Sequence, residues 1–404
     1  MHIVLLNQAF APDVVATAQM SKDLADELVR RGHRVTAVAS RSIYGKKGAV
    51  LPRREMLDGI DVRRPGVSLF GKAGPIARVI DFGLFYALAS LRVLTLDKPD
   101  VVVSFTTPPY IAITGIVTRW VRGASAAHWV MDLYPDVMIA SGMMKPKGVV
   151  TRLLESVSRW AFNHSDINVV LGRCMRDRVL AKGVDASKVV HIPVWADLSG
   201  ITGIARDQSK YRTTWQLGDA FTVMYSGNLG IGHDAQTMCR AMEILRDRDD
   251  IRFVFVGDGK RRKEVEAFIA EKKLTNVRWF AYVPREDLGQ SLAAADVHLV
   301  SVREGVEGIM VPSKLFGIMA AGRASIYIGN PGSEVAQVLR EHDAGVCVRE
   351  GDAQGLADAI VRMKDDATGT RAMGDRARAS VAGRYDKSSA CARWAELLEK
   401  LHKR

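Results

Sequence analysis

Two successive runs of alternating strand and helix predict an α/β protein of two Rossmann-like, doubly wound domains facing across a cleft. Three observations carry this. The strands are continuous apolar runs, as expected of strands covered on both faces. Amphipathic helical stretches follow them, the first ending in basic residues and a glycine. The pattern halts around residue 190, is followed by a polar stretch, 206–218, and then starts afresh.

Ile3-Val4-Leu5-Leu6 reads as the first strand. After the loop 7–16, Met20, Leu24, Ala25 and Leu28 mark a helix that stops at Arg30-Arg31-Gly32, and 34–39 is the next strand. Strand, helix and strand within forty residues make a βαβ unit, whose crossover imposes parallel pairing. Residues 100–105, 126–130 and 167–171 read as further strands. The second run has strands at 221–225, 252–256, 277–280, 297–300 and 324–328, with helices at 235–245 and 263–269. A last helix, 388–402, carries Trp394, Leu397, Leu398 and Leu401 on one face and is expected to cross back to the first domain. The expected boundaries are 1–195, 196–385 and 386–404.

The chain has 404 residues, 48% apolar and 25% charged, which excludes a disordered tail, a collagen-like fibre or a small disulfide scaffold. The net charge is +12 and uneven: residues 1–200 hold 26 basic and 17 acidic side chains, and residues 201–404 hold 31 and 28. A basic first half suits an anionic partner, whether a phosphate-rich ligand, nucleic acid or an anionic membrane surface, and equally a merely soluble basic surface. Four widely spaced cysteines exclude zinc-ribbon and C-x-x-C redox motifs and suit a reducing compartment. No apolar run reaches the ~18 residues of a membrane span, and MHIVLLNQAF lacks the basic lead of a signal peptide. The expected location is cytoplasmic, peripheral to the inner face of the plasma membrane at most.

Three stretches carry chemistry. Tyr225-Ser226-Gly227-Asn228-Leu229-Gly230-Ile231-Gly232 follows a strand and precedes a helix, where backbone N–H groups can approach a phosphate; a purely structural tight turn is equally compatible. Gly257-Asp258-Gly259 is followed by Lys260, Arg261, Arg262 and Lys263, cations able to neutralise a diphosphate or simply a solvated basic helix start. Ser313 and Lys314 open a helix, so hydroxyl, ammonium and free N–H groups can converge on one anion. Glu304 and Glu307, just upstream, suit sugar hydroxyls. A fourth, acidic stretch, Asp247-Arg248-Asp249-Asp250, has the D-x-D spacing of a metal site, but it ends a helix rather than a strand and reads as a solvated turn.

The succession YSGNLG, FVGDGKRR, FAYVPREDL, AAADVHLVS and VPSKLFGIMAAGR, with QAFAPDVVATAQ, RRGHRV, VVVSFTTPPY and MDLYPD in the first half, resembles glycosyltransferase family 4 of the GT-B fold. The similarity is greatest to the branch that assembles bacterial surface polysaccharides and includes aminosugar transferases. The resemblance implies a retaining, metal-independent transfer from a nucleotide diphosphate sugar, UDP- or GDP-linked, with no further cofactor. It implies that Gly227, Asn228, Leu229 and Gly230 face the diphosphate, that Tyr282 and Val283 border the base, and that Ser313 and Lys314 hold the phosphates. Arg261 and Glu334 are further candidates for donor contact, and the Ala16-Thr17 loop is expected to close over the donor.

Two departures from the family pattern stand out. Most members carry two glutamates with seven residues between them, where this chain has Ile309 and Gly317, and Met131 stands at the family's histidine. Asp132 and Glu307 are therefore the candidate catalytic carboxylates, Asp132 to polarise an acceptor hydroxyl; pinning of the turn after residue 132 by Asp132 and Asp136 is the alternative. His128 is expected inside its strand as a core residue. Residues 63–98, apolar at Ile76, Val79, Ile80, Phe82, Leu84, Phe85, Leu88 and Leu91 and edged by Arg63, Arg64, Lys72, Arg78 and Arg92, read either as a core helix or as an amphipathic segment for anionic lipid. The expected partners are a nucleotide sugar, a lipid-linked or glycan acceptor and an anionic membrane surface, with no nucleic acid. An epimerase of the same fold, or a catalytically inactive nucleotide-sugar-binding partner, are the alternative functions.

Overall fold

The computed structural model describes residues 1–43, 50–66, 75–201 and 203–403, without the side chains of 75–79. Two compact units result: residues 1–193 with 390–404, and residues 194–389.

The first unit is built on strands β1 (His2–Leu6), β2 (Arg34–Val38), β3 (Arg54–Leu57), β4 (Ile60–Arg63), β5 (Val101–Ser104), β6 (Ser125–Val130), β7 (Ile167–Val170) and β8 (Val189–His191). They lie in the order β3-β4-β2-β1-β5-β6-β7-β8, parallel except for the β3–β4 hairpin. β1 is central because its side chains are apolar on both faces; Ile3 pairs with Val35 on one side and Val101 on the other, and both β1 and β5 are buried throughout. The strand order reverses between β1 and β5, so the loops after them open at the sheet's switch point. The final helix, Lys387–His402, lends Trp394 to this unit, its ring centroid 4.4 Å from that of Trp129, which in turn packs 4.6 Å from Phe105. The boundary between the units falls at residue 389, inside this helix.

Two readings of the first half change here. Ala16 and Thr17 form the first turn of the helix Ala16–Arg30 instead of a loop. In segment 63–98, Lys72 and the side chains of Ile76, Arg78 and Val79 lie outside the described residues. The helix Pro75–Thr95 turns Phe85, Ala89 and Val93 into the core against Val4, Leu6 and Val102, while Ile80 and Leu91 stay exposed. Arg63 is taken up by Asp61 at 2.8 Å, and Arg64, 1% exposed, pairs with Glu55. Two of the five cations assigned to a lipid surface are thus consumed internally. Among the described residues no helix is long and apolar enough to cross a membrane.

The second unit has strands β9 (Phe221–Ser226), β10 (Ile251–Val256), β11 (Val277–Phe280), β12 (Val297–Ser301), β13 (Ala324–Ile328) and β14 (Gly345–Val348), all parallel in the order β11-β10-β9-β12-β13-β14. The stretch 206–218 is a packed segment, contrary to its polar reading. Its short helix Lys210–Thr214 and the turn that follows bury Tyr211, Trp215 and Leu217 against Met224, Val254 and Val256, and Trp215 stacks on Phe280 at 4.7 Å. Three large apolar side chains within seven positions suffice to seal that face of the sheet.

Candidate functional site

Because every strand of the second unit is parallel, the loops after β9, β10, β12 and β13 share the carboxyl edge of one sheet, and the order reverses between β9 and β12. The turns after β9 and β10 meet backbone to backbone. A Cβ on Gly257 would lie 2.5 Å from the Gly227 oxygen, and one on Gly259 would lie 2.3 Å from the Leu229 oxygen; both glycines also have positive φ. Only glycine fits there. Leu229 N–H donates to Asp258 at 2.8 Å and Arg261 N–H to Leu229 at 3.1 Å, locking the pair of turns. The far end of the first turn is tied to β12, where His233 Nδ1 lies 2.6 Å from the Ser301 carbonyl and Asp234 N–H donates to Ser301 Oγ at 2.8 Å.

Lys314, first residue of the helix Lys314–Ala320, threads back under this arrangement. Its Nζ sits 3.6 Å from the Tyr225 ring centroid, and its Cε would touch a Cβ placed on Gly227 at 3.5 Å. The Nζ is buried and has no hydrogen-bond partner among the described residues. Burial pulls its pKa down to about 7. His233 is held down to about 4, by its own burial first and then by the charges of Lys314 and Arg261, so the imidazole stays neutral. An ammonium with no counter-ion, beside a turn that only glycine can form, is an arrangement suited to an anion.

The other predicted residues take distinct places. Gly227, Asn228, Leu229, Gly230, Arg261 and Lys314 come together. Tyr282, 58% exposed, lays its ring over Gly257, and Val283 packs against the Tyr211–Trp215 cluster. Ser313 is exposed ahead of the helix it precedes. Glu334 is buried in the first turn of the helix Glu334–Glu341 after β13. Glu307 folds onto its own loop, accepting from Gly305 N–H at 2.8 Å, while Ile309 is buried. The acidic stretch at 247–250 is an exposed turn, with Asp250 paired to Arg248 and Lys364 at 2.8 and 2.7 Å. No cluster of three metal-ligating side chains occurs among the described residues.

In the first unit Asp132, two residues beyond β6, borders a small pocket with room for about one water molecule, lined by Thr106, Tyr110, His128, Tyr134, Ser158 and Phe162. Its backbone N–H donates to Thr106 Oγ1 at 3.2 Å. Burial raises its carboxyl pKa to about 6. Tyr110 Oη is buried without a partner among the described residues, and burial raises its pKa too. His128 lies inside β6, as expected of a core residue, with its ring stacked on Phe162 at 5.2 Å, yet it faces the same pocket; burial holds it neutral, near 4. Asp136 is separate, a structural partner of Lys182 at 2.8 Å. Tyr225, His233 and Tyr110 were not singled out from sequence. The aromatic before Gly227, the histidine closing that turn and the tyrosine after Pro108-Pro109 were the available signals.

Residues 16–195 match the family of glycosyl transferase 4-like domains, and residues 220–366 match the glycosyl transferases group 1 family. The chain is 26% identical to the "Probable glycosyltransferase WbjE" of Pseudomonas aeruginosa over 65% of its own length and 66% of that chain. It is 23% identical to WcaI of Escherichia coli K12, a chain named for colanic acid biosynthesis, over 89% and 91%. Among solved structures it resembles sucrose-phosphate synthase of Thermosynechococcus elongatus (TM-score 0.81, 16% identity, 100% and 99% covered). It also resembles Anabaena HepE in complex with UDP-glucose (TM-score 0.75, 16% identity, 99% and 100% covered).

Proposed function

This chain belongs to glycosyltransferase family 4 of the GT-B fold, and from that premise we propose its reaction. It moves a hexose or N-acetylated sugar from a UDP- or GDP-linked donor to a membrane-associated acceptor in surface polysaccharide or glycolipid synthesis. Configuration is retained at the anomeric carbon, and no metal takes part. The polysaccharide assignment is supported by the relatives' names, and the nucleotide sugar by the UDP-glucose held in HepE.

The observation that carries the reading is the buried, unpartnered Nζ of Lys314 beneath Gly227. As the bond from the anomeric carbon to the diphosphate breaks, negative charge collects on the departing oxygens. Lys314, with Arg261, is the proposed stabiliser of that charge, and its burial supports this because such stabilisation is strongest at low dielectric. The acceptor oxygen bonds to the anomeric carbon on the face the diphosphate leaves, as retention requires, and gives up a proton for which Asp132 is the proposed acceptor. Calorimetry with UDP and GDP, followed by transfer assays on purified chain, tests the reading; no binding and no transfer would refute it. Ile309 and Gly317, in place of the family's two glutamates, favour one competing reading, a non-catalytic nucleotide-sugar-binding partner. Tight donor binding without turnover across a panel of acceptors would establish that reading instead.

A further inference from the structure

The helix Val149–His164 has two apolar faces. Its inner face buries Thr151, Ser158, Ala161 and Phe162. At 100° per residue, Val149, Leu153 and Trp160 fall within about 40° of one another on the opposite side. Val149 is 84% exposed and Leu153 63%. Val150, at the edge of the strip, and Met143, in the preceding turn, are also exposed. Trp160 packs edge-on against Trp120, 5.7 Å away and itself 54% exposed, so the strip continues onto the end of the neighbouring helix. A soluble surface seldom gathers so many large apolar side chains without a partner.

The charges around the strip are of one sign. Residues 141–164 carry Lys145, Lys147, Arg152 and Arg159, all exposed and without an ion pair among the described residues. The single acid in this stretch, Glu155, is occupied by Lys182 at 2.8 Å. Arg152 and Arg159 flank the apolar strip on one edge of the helix. Apolar side chains able to enter acyl chains, tryptophans at their margin and unpaired cations at headgroup level are the components of an interfacial helix.

We propose that this strip, Met143 and Val149–Val150–Leu153 with Trp160 and Trp120, docks the protein on an anionic lipid surface through Lys145, Lys147, Arg152 and Arg159. It rests on the membrane-associated acceptor proposed above, and it places the lipid contact away from segment 63–98, where Arg63 and Arg64 are paired internally and Phe85 is buried while Ile80 and Leu91 are exposed. A second copy of the chain would be opposed by the four like charges, which an anionic bilayer instead attracts.

Cosedimentation of the full chain with phosphatidylglycerol–phosphatidylcholine vesicles, against phosphatidylcholine alone, tests this. Binding to the anionic vesicles is expected, with loss in 0.5 M salt. Val149→Ser with Leu153→Ser should weaken it at least tenfold, and Lys145→Ser, Lys147→Ser and Arg152→Ser together about a hundredfold. Ile80→Ser with Leu91→Ser should leave it unchanged. Absence of vesicle binding, equal loss in the Ile80/Leu91 variant, or a concentration-dependent dimer abolished by the Val149/Leu153 pair would overturn the proposal. UDP binding by the same variants separates the two readings. Intact nucleotide binding and transfer without vesicle binding defeats only the docking surface, whereas vesicle binding without nucleotide binding defeats only the transfer reading.

Discussion

Lys314 and Asp132 each sit at the carboxyl edge of a parallel sheet, and burial pushes both toward their uncharged forms: Lys314 down to about 7, Asp132 up to about 6. The cause is shared, the surroundings are not. Lys314 has an aromatic ring on one side, a glycine turn on the other and a further cation, Arg261, close enough to act on the same histidine. Asp132 looks into a small pocket bordered by the hydroxyls of Thr106, Tyr110, Tyr134 and Ser158. An arriving anion would restore the charge of the first, which suits the proposed role of receiving charge. The second can lose or gain a proton near neutrality, which suits the proposed role of exchanging one.

The largest expected effect falls on the proton-exchanging side. Asp132→Asn keeps the shape and removes the basic oxygen, so transfer should fall by roughly 10²–10⁴-fold with UDP affinity unchanged. The wild-type rate should climb through about pH 6 as the carboxyl ionises, and this limb should vanish in the variant. Steady-state rates from pH 5 to 8 on both proteins measure it. A variant that loses nucleotide affinity in proportion to rate would place Asp132 in folding instead of proton transfer.

On the charge-receiving side, Lys314→Ala should weaken binding of UDP by about 2–3 kcal/mol, the range of a charge-assisted contact, and binding of uridine hardly at all. Equal losses for the two ligands would contradict a phosphate role. For a nucleotide sugar, whose diphosphate does not titrate near neutrality, affinity should fall as pH rises above 7, because the free lysine must then be protonated as the ligand binds. Stability moves the opposite way. The folded pKa lies below the unfolded value of 10.5, so the lysine's destabilising effect is complete below pH 7 and fades as pH rises toward 10.5. Lys314→Met should accordingly stabilise the ligand-free chain by about 1–2 kcal/mol at pH 7, and by less at pH 9, in urea melts.

How much of this was legible in the sequence depended on what each residue's position demands. Parallel strands covered on both faces are mostly apolar along their length, so β1, β5 and β9 could be read directly. The hairpin Arg54–Leu57 and Ile60–Arg63 escaped notice because its strands are short and charged and its edge strand is partly exposed, although Asp58-Gly59 between them, with φ of 50° and 82°, is a hairpin turn by composition. Lys314 was legible as a candidate from its place at a helix start. Its missing counter-ion was not, because that depends on how the turns after β9 and β10 close over it. The outward strip of the helix Val149–His164 was hidden for a related reason: a helix apolar on two faces reads as a deeply buried one, and only the exposure of Val149 and Leu153 tells them apart.

The smallest expected effect tests whether burial is what separates these two groups from other charged residues. Asp247 and Asp249 have the spacing of a metal-binding pair but stand in an exposed turn between the helix Gln236–Ile244 and β10, the side chain of Asp247 being 95% exposed. Water solvates such carboxylates fully, so little is gained or lost by removing them. Asp247→Asn with Asp249→Asn should change stability by less than about 0.5 kcal/mol and leave donor affinity the same with and without magnesium. Loss of a magnesium-dependent component of donor binding in this variant would give the exposed acids a ligand after all, and the metal-independent transfer proposed for Lys314 would have to be abandoned.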